Sequence, residues 1–162
     1  MIIISEKHDF YHVLIKILPL HLLLGIFHIM KADIINKEDV KLLVDKFYEK
    51  VNKHALLSAV FNDIAKVNWE HHLPKMYAFW SGILLDTSEY RGQPFDKHAQ
   101  HAEHITAEHF SEWLKLFQET IDEYFEGEKA KLAKTRAGSI ASIFQYKLDF
   151  MKMNQNADSE NH

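Results

Sequence analysis

The chain of 162 residues has no cysteine, only five glycines and three prolines, and no large excess of charge of either sign. Without cysteine there are no disulfide staples, thiolate zinc sites, iron–sulfur clusters or cysteine nucleophiles, and a reducing, cytoplasmic setting fits. Any transition metal has to be held by His, Asp or Glu. So little glycine and proline leaves scant material for the many turns of an all-β fold, and helices are expected instead. Nineteen Lys+Arg against 23 Asp+Glu gives a formal charge of −4. A broad polyanion-binding surface is therefore not expected, and nucleic acid is not a predicted partner. Long apolar runs are missing too: the uncharged stretch Ile17 to Met30 is interrupted by Pro19, His21, Gly25 and His28 and is shorter than the ~20 residues that cross a bilayer. What the chain does have is 47% hydrophobic residues and twelve histidines. That is enough apolar material for one buried core.

Three segments follow from the pattern. Residues 1–29 form an apolar N-terminal extension in which charge is confined to Glu6, Lys7, Asp9 and Lys16. It reads as a mis-set start or an appended amphipathic helix, the one place where membrane contact is expected. Residues 30–151 make the domain, and the polar residues 152–162 a fraying, disordered tail. Within the domain, Asn36 with Asp39 makes a capping pair, and Val40, Leu43, Val44, Phe47 and Val51 recur at helical spacing, predicting a helix over 37–53. A second helix follows Asn68 and runs to about Leu85, with Trp69, His72, Met76, Phe79, Trp80, Ile83 and Leu84 on one stripe. Pro74 falls early in it, and a first turn starting near Glu70 would tolerate the missing N–H. Asp86 to Pro94 is turn chemistry, with Gly92 the residue free to take positive φ. Thr106 caps a long helix carrying Phe110, Trp113, Leu114, Phe117, Ile121 and Tyr124, which Gly127 stops. A last helix over about 128–151 presents Leu132, Ala133, Ala137, Ile140, Ala141, Phe144 and Leu148.

Most of the histidines sit at helix ends, on polar faces or in the extension, where an imidazole is solvated or capping. His72 differs, because it shares a face with Met76, Phe79 and Trp80 and so points into apolar surroundings. Tyr48, beside Phe47, and Trp113, on the inner face of its helix, add an O–H and an N–H donor to the same interior. Buried donors need an acceptor: a carbonyl, a water, or a polar ligand lying between them. His98, His101 and His104 have the i, i+3 spacing of a metal trio, and zinc with an open position, with Glu103 beside it, is one reading. A haem-free helical interaction module, using the same stripes as plain core, is another. A third makes His98 a single axial ligand facing His72 across a shared cavity, an arrangement that suits haem.

Four stretches carry a resemblance: Phe47-Tyr48-Glu49-Lys50-Val51, the run Trp69 to Trp80 (WEHHLPKMYAFW), Tyr90-Arg91-Gly92-Gln93-Pro94 leading to His98, and Glu108-His109-Phe110 with Trp113 to Phe117. Over roughly Ile34 to Phe150 the sequence resembles the group III truncated haemoglobins, compact bacterial globins with an all-α, two-over-two helical sandwich. The resemblance implies haem b with His98 as the iron ligand, His101 being the close competitor. It implies His72 at the distal position, with Tyr48 and Trp113 as donors beside a bound O2, CO or NO. Phe47, Phe61, Met76, Phe79 and Trp80 would be apolar walls, and Lys75 a partner for a haem carboxylate. Two donors to a polarised ligand would slow oxygen release, which argues against oxygen transport and for gas binding or sensing, NO oxidation or a peroxidase-like reaction. Turnover of that kind would call on a separate reductase.

Overall fold

The structure, a computed structural model, describes residues 31–160. The chain divides into two units, Met1–Ala32 and Asp33–His162, and every helix described below belongs to the second. The expectations for residues 1–29 and for the histidines within them lie outside the described residues.

Helix α1 (Lys37–Lys53) begins as its sequence dictates. The Asn36 side chain accepts from the Asp39 N–H at 2.9 Å, and the Asp39 carboxylate accepts from the Asn36 N–H at 3.2 Å, which satisfies donors the helix cannot. The predicted stripe is buried in full, joined by Tyr48. A short helix α2 (Ala55–Ser58) continues into a π-helical turn, Ala59–Ile64, and the chain turns out of it with Lys66 at φ 47°. Side chains fasten that turn at both ends: Asn62 donates to Asn52 at 3.0 Å, and the Trp69 indole donates to Asn62 at 2.9 Å.

Helix α3 spans Trp69–Leu85, capped by the Asn68 side chain, which accepts from the His71 N–H. Pro74 thus lies past the first turn rather than within it. The turn before it is regular, with the His72 N–H donating to the Asn68 carbonyl at 2.9 Å. Asp86 closes the helix in the left-handed region at φ 55°, the conformation expected of Gly92. Gly92 is not among the positive-φ residues; its lack of a Cβ matters because one would stand 2.6 Å from the Tyr90 hydroxyl. Pro94 opens the next helix, α4 (Pro94–Ala99), at a position where its missing N–H costs nothing.

After a 3₁₀ turn at Ala102–His104 come α5 (Ala107–Tyr124) and α6 (Glu128–Glu160). The polar composition after residue 151 predicts a frayed end there. The helix instead runs on to Glu160, through residues that include neither Gly nor Pro to break it. Helix α1 packs on α3 and α5, α5 packs on α6, and α3 reaches α6, which gives two stacked helical pairs. Their shared centre is aromatic: Phe117 stacks on Trp80 at 4.5 Å and on Trp113 at 5.5 Å, and Phe47 meets Phe117 edge-on at 5.1 Å. Burying one such side chain contributes about 1.5–3 kcal/mol.

The two ends of the domain are tied by one carboxylate. Asp33 accepts from the N–H groups of Lys129 and Ala130, each at 2.9 Å, in the first turn of α6. Burial opposes its ionisation, but these N–H donors and that of Ile34 outweigh it and hold the carboxyl below the usual carboxylate range. Gly127, at φ 147°, leaves the room; a Cβ there would meet Asp33 at 2.3 Å. Among the described residues there is no β-strand, and no helix is long and apolar enough to cross a membrane.

Candidate functional site

A cavity of about 950 Å³ opens between the helical pairs, lined by residues of every helix described above. That lies at the upper end of the range for sites that take a cofactor-sized molecule. Long helices hold its polar points on one side. Tyr48 from α1 is 6% exposed and directs its hydroxyl to His72 Nε2 of α3 at 3.1 Å. Rings fix both: His72 lies edge-on to Tyr48, Phe61 and Trp69 at 5.2, 6.4 and 5.7 Å. Burial pushes the Tyr48 phenol well above its ordinary pKa, so it stays O–H. Burial, with the His98 and Lys75 charges adding, pushes His72 down to about 4, so the imidazole is neutral at pH 7. Trp113 of α5 borders the same space, its ring held against Phe47 and Phe117 at 5.5 Å each.

His98 faces the cavity from the short helix α4. Its Nδ1–H donates to the Pro94 carbonyl at 2.8 Å, and its ring meets Phe144 of α6 at 4.9 Å. A hydrogen bond at Nδ1 selects the tautomer whose Nε2 carries a lone pair, the form a metal takes. Burial lowers the His98 pKa and so favours that neutral form; the Pro94 bond works against it and the His101 charge with it. The donor set therefore fits a haem: an apolar slot of sufficient volume, the His98 imidazole held in its neutral form on one wall, and cations at its mouth. Lys75 is exposed there, as are Lys66 and Arg91.

The structure brings together nearly all the residues singled out from sequence. Tyr48, Phe61, His72, Lys75, Met76, Phe79, Trp80, His98 and Trp113 line one cavity. Phe47 does not. It lies one layer behind, 1% exposed, with its ring edge-on to Tyr48 at 4.8 Å and to Trp113 at 5.5 Å. Helical spacing puts Phe47 and Tyr48 about 100° apart, and α1 turns Tyr48 toward the space while Phe47 supports it. The histidine trio is not assembled. No group of three His, Asp or Glu among the described residues can hold a metal ion; His104 is exposed and pairs with Glu103 at 3.0 Å. His109 is the helix cap that its position predicted, its Nδ1 accepting from the Thr106 N–H at 3.1 Å.

Other wall residues carry no signal of that role in the sequence: Tyr90 and Arg91 in the loop, and Ile140, Ala141 and Phe144 on α6. The last three read only as core, since which core stripe borders a cavity is a tertiary fact.

This architecture, two helical pairs around an apolar slot with His98 on one wall and His72 among its lining residues, is that of a globin. A family model described as bacterial-like globin matches residues 33–145, and the chain belongs to that family, in its group III truncated haemoglobin branch. The group 3 truncated hemoglobin of Campylobacter jejuni is 38% identical over 119 residues, 72% of this chain and 93% of that protein. The crystal structure of the group III truncated hemoglobin from Campylobacter jejuni is similar at a TM-score of 0.64 and 36% identity, covering 74% of this chain and 95% of the other. Globins as a class bind haem and, through it, small gas molecules.

Proposed function

We propose that this chain binds haem b through His98 and retains O2, CO or NO in the space bordered by Tyr48, His72 and Trp113. Its physiological role is then gas sensing, or chemistry on NO or peroxide supported by a separate reductase, rather than oxygen carriage. The observation that carries the reading is the Tyr48–His72 pair, a buried phenol and a half-buried imidazole 3.1 Å apart, in an apolar cavity that His98 also lines.

When bound, the haem supplies an iron with an open position for a diatomic gas. His98 presents Nε2 because the Pro94 carbonyl occupies its Nδ1–H. Lys75 and Arg91 at the mouth suit the two haem carboxylates. A neutral imidazole has one N–H to give. If His72 Nε2–H donates to the Tyr48 oxygen, the phenol O–H is free to turn to a ligand. If the phenol donates to Nε2, the ligand has the Trp113 N–H alone. The first arrangement gives two donors. Both arrangements keep His72 and Tyr48 uncharged at neutral pH, so a bound ligand that accepts from the phenol is what favours the first. The surrounding rings of Phe61, Trp69 and Phe79 exclude water that would compete for those donors.

A buried hydrogen bond to a polarised ligand contributes on the order of 1.5–3 kcal/mol, or about 10- to 100-fold in release rate. The test has two parts. Reduced protein with and without CO is expected to give a haem–CO difference spectrum. Replacing Tyr48 with Phe is then expected to speed oxygen dissociation by about 10- to 100-fold. An unchanged rate sinks the donor argument, and the lack of any haem spectrum sinks the whole reading.

A further inference from the structure

The cavity accounts for the inner face of α6 but not for its outer one. Four of the six exposed large apolar side chains among the described residues stand on this helix: Ile143 (51% exposed), Tyr146 (71%), Phe150 (51%) and Met153 (63%). Their spacing is three, four, three. That spacing sets all four on one face of the helix, where they can act as the a and d positions of a seam between two helices. The same helix satisfies its core with other residues, Ala133, Ala137, Ala141 and Leu148, all buried. Within the seam the Tyr146 and Phe150 rings already stack, 6.5 Å apart and 20° from parallel. The match to the globin family ends at residue 145, whereas the helix runs to Glu160, so most of the seam lies beyond it.

From this we infer that α6 pairs with α6 of a second copy of the same chain, forming a parallel two-fold dimer along Ile143, Tyr146, Phe150 and Met153. The flanks identify the occupant. Lys147, held 4.8 Å over the Phe95 ring, is the charge on one side of the seam, and Asp149 is the charge on the other. When identical helices run parallel about a two-fold axis, the flank bearing Asp149 meets the partner's flank bearing Lys147, twice over. An antiparallel pair sets like flank against like. The helix is thus complementary to itself in one orientation. The four side chains expose on the order of 500 Å² per chain, about 1,000 Å² for the pair, which is the lower limit for a specific interface. Association is accordingly reversible, in the micromolar range.

Sedimentation velocity of the full chain across micromolar concentrations tests this. The sedimenting mass is expected to climb from 19.1 kDa toward twice that value. Tyr146→Glu and Phe150→Lys replace exposed side chains, so far-UV circular dichroism should be unchanged while association weakens at least tenfold. Asp149→Lys is expected to weaken it as well, and the double reversal Lys147→Asp with Asp149→Lys to restore it to within about threefold. A chain that stays monomeric throughout overturns the inference, whether the face is then bare or covered by a different partner. So do seam variants that leave the mass unchanged, and a double reversal that restores nothing.

Discussion

The two walls of the cavity are built differently. Tyr48, His72 and Trp113 stand on three long helices and are wedged among rings that belong to the core: Phe47, Phe61, Trp69 and Phe117. His98 stands on a six-residue helix between two irregular segments, held by one carbonyl and one ring. Donors that act by direction have to be held still, and helix packing does that before any ligand arrives. A residue that is to form a coordination bond needs less support, because the bond itself will fix it. One wall is organised in advance; under the proposed function the other is completed by the haem.

Breaking the thinner wall should have the largest effect. His98→Gly is expected to weaken haem binding by more than about 100-fold, with added imidazole restoring the haem spectrum through the vacated space. Haemin titration followed in the Soret region measures both. Acting on the thicker wall should separate retention of gas from retention of haem. Trp113→Phe keeps a ring against Phe117 and removes the N–H together with part of the indole, so oxygen release is expected to rise about tenfold while haem affinity changes less than about threefold. A large loss of haem in this variant would show that the two walls are not independent.

The smallest effect on the site is expected from the carboxylate that ties the domain's ends. Asp33→Ala should cost about 1–2 kcal/mol of stability, read by thermal or urea unfolding, and leave gas release unchanged. Its pH dependence has a definite sign. Because the folded-state pKa lies below the ordinary value of 3.8, the carboxylate contributes its full stability above that value and loses it as pH falls through the depressed one. Wild type and variant should therefore differ at neutral pH and converge in stability as pH falls below about 4.

The long helices and their buried faces were legible because they obey local rules. The Asn36–Asp39 pair sets the start of α1, Asn68 that of α3, and the apolar stripes mark which side turns inward. Tyr48, His72 and Trp113 could be selected because polar tips on apolar stripes are uncommon. Less was visible where structure depends on something other than periodicity. No sequence rule announces the π-helical turn Ala59–Ile64, which rests on Asn62 reaching both Asn52 and Trp69. The division of labour between Phe47 and Tyr48 turns on the rotation of α1 against its neighbours, which spacing alone leaves open by one residue. Tyr90 and Arg91 reach the cavity mouth through a loop whose path has no repeat to read. The zinc trio failed for a related reason: i, i+3 spacing brings side chains together only on a continuous helix, and α4 ends at Ala99, before His101.

The clamp between Asp33 and the first turn of α6 joins residues 96 and 97 positions apart. Closing so long a loop carries an entropic cost that local contacts do not, so the clamp forms only after the intervening helices have packed, late in folding rather than at its start.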